Sequence, residues 1–115
     1  MIYHIIETIE YEQMKNQQVY QPLSLVKEGF IHCSGNKQDI LDVANYLFKN
    51  KDVLILEIDD EKLNALIRWE KAPGDRIDRT FPHIYGELKT KYITGMRIFV
   101  KDDQNNFIDW KSTEI

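Results

Sequence analysis

Val53-Leu-Ile-Leu-Glu-Ile58 is apolar at nearly every position. A strand with one wetted face alternates apolar and polar residues, so this run belongs to a strand covered on both sides. It predicts a central strand with structure packed above and below. A chain of 115 residues, 43% hydrophobic and 30% charged, fits one globular domain that buries a usable core.

The rest of the chain supplies shorter elements around that strand. Ile2–Ile6 reads as a first strand of β-branched and aromatic residues. Thr8 is placed to cap a short helix running to about Asn16, with Glu10 and Glu12 near its positive end. Val19–Leu25 is expected to be extended or turn-like, because Pro22 cannot sit inside a helix. Phe30–Cys33 is a second strand. Asn36 and Asp39 then open the best helix, in which Ile40, Ala44, Leu47 and Phe48 recur at helical spacing. Asp59 is set to cap a single turn over Glu61–Leu66, before strands at Ile67–Glu70, Phe81–Gly86 and Ile93–Val100. Lys71–Thr80 has loop chemistry. Asp102–Asn106 makes a polar turn, and Phe107–Trp110 returns as a hairpin. Residues 1–100 are thus the main domain and 101–115 a hairpin or tail packed on it.

All three histidines lie in segments that read as extended: Ile2-Tyr-His-Ile-Ile6, Gly29-Phe-Ile-His-Cys-Ser34 and Phe81-Pro-His-Ile-Tyr-Gly86. Alternation puts His4 with Ile2 and Ile6, His32 with Phe30 and Ser34, and His83 with Phe81 and Tyr85. Each imidazole therefore keeps apolar or aromatic company, as in a half-buried small-molecule pocket. Histidine moves protons and binds anions near neutral pH. Each one taken singly fits equally well as a structural residue whose nitrogens bond nearby backbone.

Neighbouring residues extend the candidate site. Ser34-Gly35-Asn36 lies where strand meets helix, and free N–H groups there suit a phosphate or carboxylate, with Gly35 admitting close approach. A tight turn with an ordinary cap is the alternative. Arg68, Arg76 and Arg79 are candidate clamps for an anion or solvated loop charges. Glu57 and Glu70 are acids embedded in apolar strands, Glu70 being a candidate partner for an arginine.

Other classes fit less well. A net charge of -4 opposes broad attachment to nucleic acid. No apolar run reaches the length of a membrane span, and the N-terminus has no signal-peptide pattern, so a cytoplasmic location is the default expectation. Three imidazoles could hold an open zinc site, but no His-x-His or His-Glu-x-x-His pair is present and Cys33 faces away from His32, so no metal is expected. Cys33 points toward the core, which argues against a cysteine nucleophile.

Tyr3-His4-Ile5, Pro22-Leu-Ser-Leu25, Glu28-Gly-Phe-Ile-His-Cys-Ser34, Val43-Ala-Asn45, Leu56-Glu-Ile-Asp59, Arg68-Trp-Glu70 and Phe81–Gly86 with Leu88 together resemble the family called domain of unknown function 952. The likeness runs from about Ile2 to Val100. That family is grouped with the ADP-ribosyltransferase-like folds. The resemblance therefore implies a single α+β domain with a strongly bent, split β-sheet and two or three helices around a nicotinamide-dinucleotide cleft. By the same analogy His4 suits a ribose contact, with Tyr3 beside it, and Tyr85 suits a stacking ring. His83 stands near where the wider group often carries its acid. That departure points away from protein ADP-ribosylation and toward the RNA 2′-phosphotransferase branch, whose extra basic domain and positive charge this chain lacks.

The resulting expectation is a transferase or hydrolase acting on a small anionic, nucleotide-like ligand of NAD or ADP-ribose type. No resident cofactor is firmly implied, and NAD enters as substrate or ligand. His32 and His83 are the candidate catalytic residues; Tyr3, His4, Ser34, Arg68 and Tyr85 are the candidate binding residues. The alternative is a non-catalytic ligand-binding or interaction module that retains the cleft, and a zinc hydrolase is a third reading.

Overall fold

A computed structural model describes residues 1–72 and 78–113, leaving aside the side chains of 64 and 65. Arg76, one of the three candidate clamps, lies outside the described residues. Nine strands and three helices are described: β1 (Ile2–Glu7), α1 (Thr8–Met14), β2 (Val19–Tyr20), α2 (Leu23–Glu28), β3 (Ile31–His32), α3 (Lys37–Leu47), β4 (Val53–Ile58), β5 (Ile67–Glu70), β6 (Phe81–Ile84), β7 (Leu88–Lys89), β8 (Ile93–Lys101) and β9 (Phe107–Thr113). A 3-10 segment at Asp60–Leu66 precedes β5, and its start is held by the Asp59 carboxylate accepting from the Glu61 N–H at 3.2 Å.

The main sheet has the order β1-β4-β8-β9, antiparallel throughout. β4 is interior, as its composition predicts. Leu56 and Ile58 pack with Ile2, Ile6, Ile31, Cys33 and Ile84 on one face. Val53 and Ile55 pack with Ile5, Ile40, Leu41, Ala44 and Phe107 on the other. The sheet thus separates two apolar layers, one closed by α3 and the other by a three-stranded antiparallel sheet of order β3-β6-β5. The two sheets meet at a bridge from Tyr3 to Ser34. β2 and β7 form a separate two-stranded ribbon.

Asn36 caps α3 as expected, its side-chain oxygen accepting the Asp39 N–H at 2.9 Å. The 101–115 segment is integral to the fold over its described part. β9 extends the main sheet, Phe107 is buried, and Asn45 clasps the Phe107 backbone by bonds of 2.9 and 2.8 Å.

Four local expectations are corrected. The first helix starts after Glu7, so Thr8 lies inside it; the Thr8 hydroxyl caps nothing and is buried without a hydrogen-bond partner among the described residues. That helix ends at Met14 rather than Asn16. Val19–Leu25 is not wholly extended, because Leu23 begins α2 directly after Pro22. Proline there precedes the first turn, where its missing N–H breaks no helical bond. Gly29 stops the helix with φ of 86°, a left-handed conformation open to glycine at little cost. Finally, the strand over Phe30–Cys33 shortens to Ile31–His32.

Candidate functional site

The three-stranded sheet carries the chemistry on one face. Its ladder sets His32 opposite His83 and His83 opposite Arg68, so the three lie in one row across β3, β6 and β5. Ile31 and Ile84 fill the opposite face and enter the core. Alternation thus separates packing from polar chemistry, as the parity of the histidine segments predicts. Phe30 lies over this face, stacked on His83 with centroids 4.2 Å apart and meeting His32 at 4.7 Å. The His32 and His83 rings are 5.5 Å apart, edge to face.

Each of these imidazoles has a carboxylate. His83 is buried, and its Nδ1 lies 2.9 Å from Glu70 Oε1. The same oxygen accepts the Tyr85 hydroxyl at 2.5 Å. The Tyr85 bond foremost, then that from His83, holds the Glu70 carboxyl below its usual range, and the Glu70 bond raises the Tyr85 hydroxyl. An ionised Glu70 accepts from Nδ1–H, which leaves Nε2 of His83 as the basic nitrogen, with no hydrogen-bond partner among the described residues. His32 is exposed, and its Nε2 pairs with Glu28 one turn away at the end of α2.

His4 enters from the main sheet. It is buried, its Nδ1 lies 2.5 Å from the His32 carbonyl oxygen, and its Nε2 lies 2.8 Å from the Tyr20 hydroxyl. Burial is the leading influence on its pKa and pulls it down to about 4, so the ring is neutral at pH 7. The carbonyl can only accept, which assigns the hydrogen to Nδ1.

A cavity of about 840 Å³ follows β1, lined by His4, His32 and His83 together with Ser34, Arg79 and Phe81 and by residues from Ile40 in α3 to Phe48 just beyond it. That volume lies within the ~300–1,000 Å³ of small-molecule clefts. Tyr3 exchanges both backbone bonds with Ser34, at 2.9 and 2.7 Å. Period two along β1 then turns the N–H and C=O of Ile5 to the same edge, beyond the end of the bridge and beside the cavity. The cavity wall carries Arg79, His32 and His83 together with the acids Glu7, Glu10 and Asp42.

Not every candidate residue meets the cavity as expected. The Tyr3 ring packs on Trp110 at 4.7 Å, in the layer opposite His4. Tyr85 and Arg68 stand outside the cavity wall: the guanidinium lies 4.9 Å over the Tyr85 ring, and Tyr85 meets Phe30 at 5.3 Å. Tyr85 therefore contacts Glu70 and its neighbours where the analogy gives it a ligand to stack on. Ser34 is buried and lines the cavity, but its N–H is spent on Tyr3. The space expected above Gly35 belongs to Trp69, whose ring a Cβ at Gly35 would approach to 2.9 Å. Arg79 is bound to Asp39 at 3.1 Å and Asp42 at 2.8 Å. Glu70 partners His83 and Tyr85, and Glu57 is the acid that pairs with an arginine, Arg97.

Sequence reasoning left Phe30, Tyr20, Glu10 and Glu28 out of the site. Phe30 shares a strand face with His32, and Glu28 precedes His32 by four residues, so both had a local signal. Tyr20 and Glu10 had none. No group of histidine, cysteine or acidic residues able to hold a metal ion is present among the described residues. Burial raises the Cys33 thiol pKa, which keeps it protonated.

Fold and site together define a small single-domain α+β protein with a histidine-lined cleft beside an edge strand. The model of the family described as "Protein of unknown function (DUF952)" matches residues 5–96, and the chain belongs to that family. The X-ray structure of protein CC0527 from Caulobacter crescentus is similar, with a TM-score of 0.79 and 24% identity over 93% of this chain and 92% of that one. The solution NMR structure of CC0527 gives 0.75 and 24% over 90% and 88%. Likeness at this level concerns the fold alone. No curated protein matches the chain. No helix among the described residues is long and apolar enough to cross a membrane.

Proposed function

We propose that the chain is a transferase or hydrolase acting on a nucleotide-like ligand of NAD or ADP-ribose type, on a fold akin to the ADP-ribosyltransferases. The observation that carries this reading is His83 backed by Glu70 on the wall of a cavity that His4 and His32 also line. A buried imidazole with an ionised carboxylate on Nδ1 presents a basic Nε2, the arrangement of a general base. His32, its ring 5.5 Å from that of His83, would act as the general acid and give a second proton to the leaving group.

The groups on the cleft wall support the ligand class. His32 and His83 are side chains that bind anions near neutral pH. The Ile5 N–H and C=O match a carboxamide such as that of nicotinamide, which offers one acceptor and one donor. Glu7 and Glu10, also on the wall, favour a neutral or positively charged ring over a second phosphate.

A non-catalytic ligand-binding module is the second reading, favoured by the tie between His32 and Glu28, which occupies the nitrogen a proton donor needs. A ligand-detected NMR screen over NAD, ADP-ribose and nucleoside phosphates tests both. Binding to the wild type that is lost in His32→Ala/His83→Ala supports the cleft, and turnover of the bound ligand selects the enzyme. If none of these compounds binds, or the double variant binds unchanged, the reading fails.

A further inference from the structure

Glu10, Tyr20 and His4 form a chain whose hydrogens do not balance. The His4 Nδ1 hydrogen goes to the His32 carbonyl at 2.5 Å. The Tyr20 oxygen lies 2.8 Å from His4 Nε2 and 2.7 Å from Glu10 Oε1, and the hydroxyl has one hydrogen to give. With a neutral imidazole and an ionised carboxylate, one of those two contacts sets lone pair against lone pair. One added proton satisfies both. It sits either on Nε2, with Tyr20 donating to the carboxylate, or on Glu10, with the carboxyl donating to Tyr20 and Tyr20 donating to Nε2.

We propose that Glu10, Tyr20 and His4 together bind one shared proton, and that its uptake tightens the bond from His4 to the His32 backbone. The inference deepens the proposed reading of the cleft, since His4 then positions the strand that carries His32. The chain spans three elements: Glu10 comes from α1, Tyr20 from β2 and His4 from β1. Opposite His4 on β4 is the uncharged Leu56. The other titratable and charged groups on the wall of the cavity that His4 lines are Tyr3 and Glu7 on β1, His32 and Cys33 at β3, Asp42 and Tyr46 on α3, His83 on β6, and Arg79. Burial lowers the proton affinity of the His4 ring alone, so the chain as a unit holds the proton.

The test needs no ligand, so its outcome is separate from that of the screen above. Imidazole 15N resonances are followed with pH in the wild type, in Glu10→Gln and in Tyr20→Phe. Glutamine reproduces the protonated arrangement, because its amide donates to Tyr20 while carrying no titrating proton. The expected result is His4 with hydrogen on Nδ1 in the wild type and in Glu10→Gln. The Nε2 resonance and the Nδ1 hydrogen shift together as pH falls, and in the wild type they do so at higher pH than in either variant. Hydrogen on Nε2 in the neutral wild type would overturn the proposal, as would an unchanged joint shift in Glu10→Gln. Glu10 is half-exposed, so Glu10→Gln keeps the test decisive even where Tyr20→Phe fails to fold.

Discussion

Glu70 reaches His83 across a diagonal of the β5–β6 ladder. In register His83 faces Arg68 and Glu70 faces Phe81, yet Glu70 Oε1 lies 2.9 Å from His83 Nδ1. Diagonal neighbours on one sheet face are ~7–8 Å apart at the backbone, a span that a glutamate and an imidazole close together. The pairing gives an exposed-edge strand residue control over a buried ring.

Glu70→Gln keeps the shape and removes the charge. The Glu70 carboxyl is held down by Tyr85 and His83, so its contribution is fully present above the ordinary carboxylate pKa and is lost as pH falls through its lowered folded value. Melting temperatures of wild type and Glu70→Gln should differ at pH 7 and converge in acid. For any ligand that is turned over, His83→Gln should slow the reaction by ~10²–10⁴-fold, the usual worth of a general base, with a smaller loss in Glu70→Gln.

In the proposed reading of the cleft, Glu28 competes with an incoming anion for His32. Glu28→Gln should tighten binding of inorganic phosphate, followed through the His32 ring resonances, by less than about tenfold, because exposed ion pairs are weak. Weaker binding in the variant would make Glu28 part of the anion site.

Asn45→Ala removes both hydrogen bonds to the Phe107 backbone and leaves a donor and an acceptor to be rehydrated. A loss of ~1–3 kcal/mol is expected in chemical denaturation. Amide exchange should quicken in β9 before it does in β4.

His4 makes the fold sensitive to acid. The ring by itself has a folded pKa of about 4 against 6.5 in the unfolded chain, so without the shared proton the unfolded state binds more protons between those values and stability falls as pH falls. In Glu10→Gln, where the chain has no proton of its own to take up, the loss from pH 7 to pH 4 should reach about 3 kcal/mol. Adding His4→Asn should flatten that slope, as read by denaturant midpoints across pH.

Gly95 leaves room for the Glu57 carboxylate, which would lie 2.8 Å from a Cβ added there. Glu57 is paired with Arg97, whose guanidinium lies 4.4 Å over the Trp110 ring. Gly95→Ala should push the flexible Glu57 carboxylate aside at a cost below about 1 kcal/mol. Trp110 fluorescence would report the shift.

Much of the frame was legible because it rests on local periods. Val53–Ile58 announces burial on both faces, Asn36 and Asp39 announce a helix start, and alternation through Ile31-His32-Cys33 sorts core from chemistry. The missed helix at Leu23–Glu28 also had its bracket, Pro22 before and Gly29 after, but six residues are too few to show a period.

The amino-acid order by itself determined which residues face inward and that three histidines sit on strand faces, since alternation is a property of the extended chain. Folding alone decided their company. Glu70 meets His83, and Glu10 meets His4 through Tyr20, only after ladder register and the docking of α1 and β2 bring distant segments within hydrogen-bond reach. A hydrogen bond acts over about 3 Å, a separation that no spacing along the chain encodes.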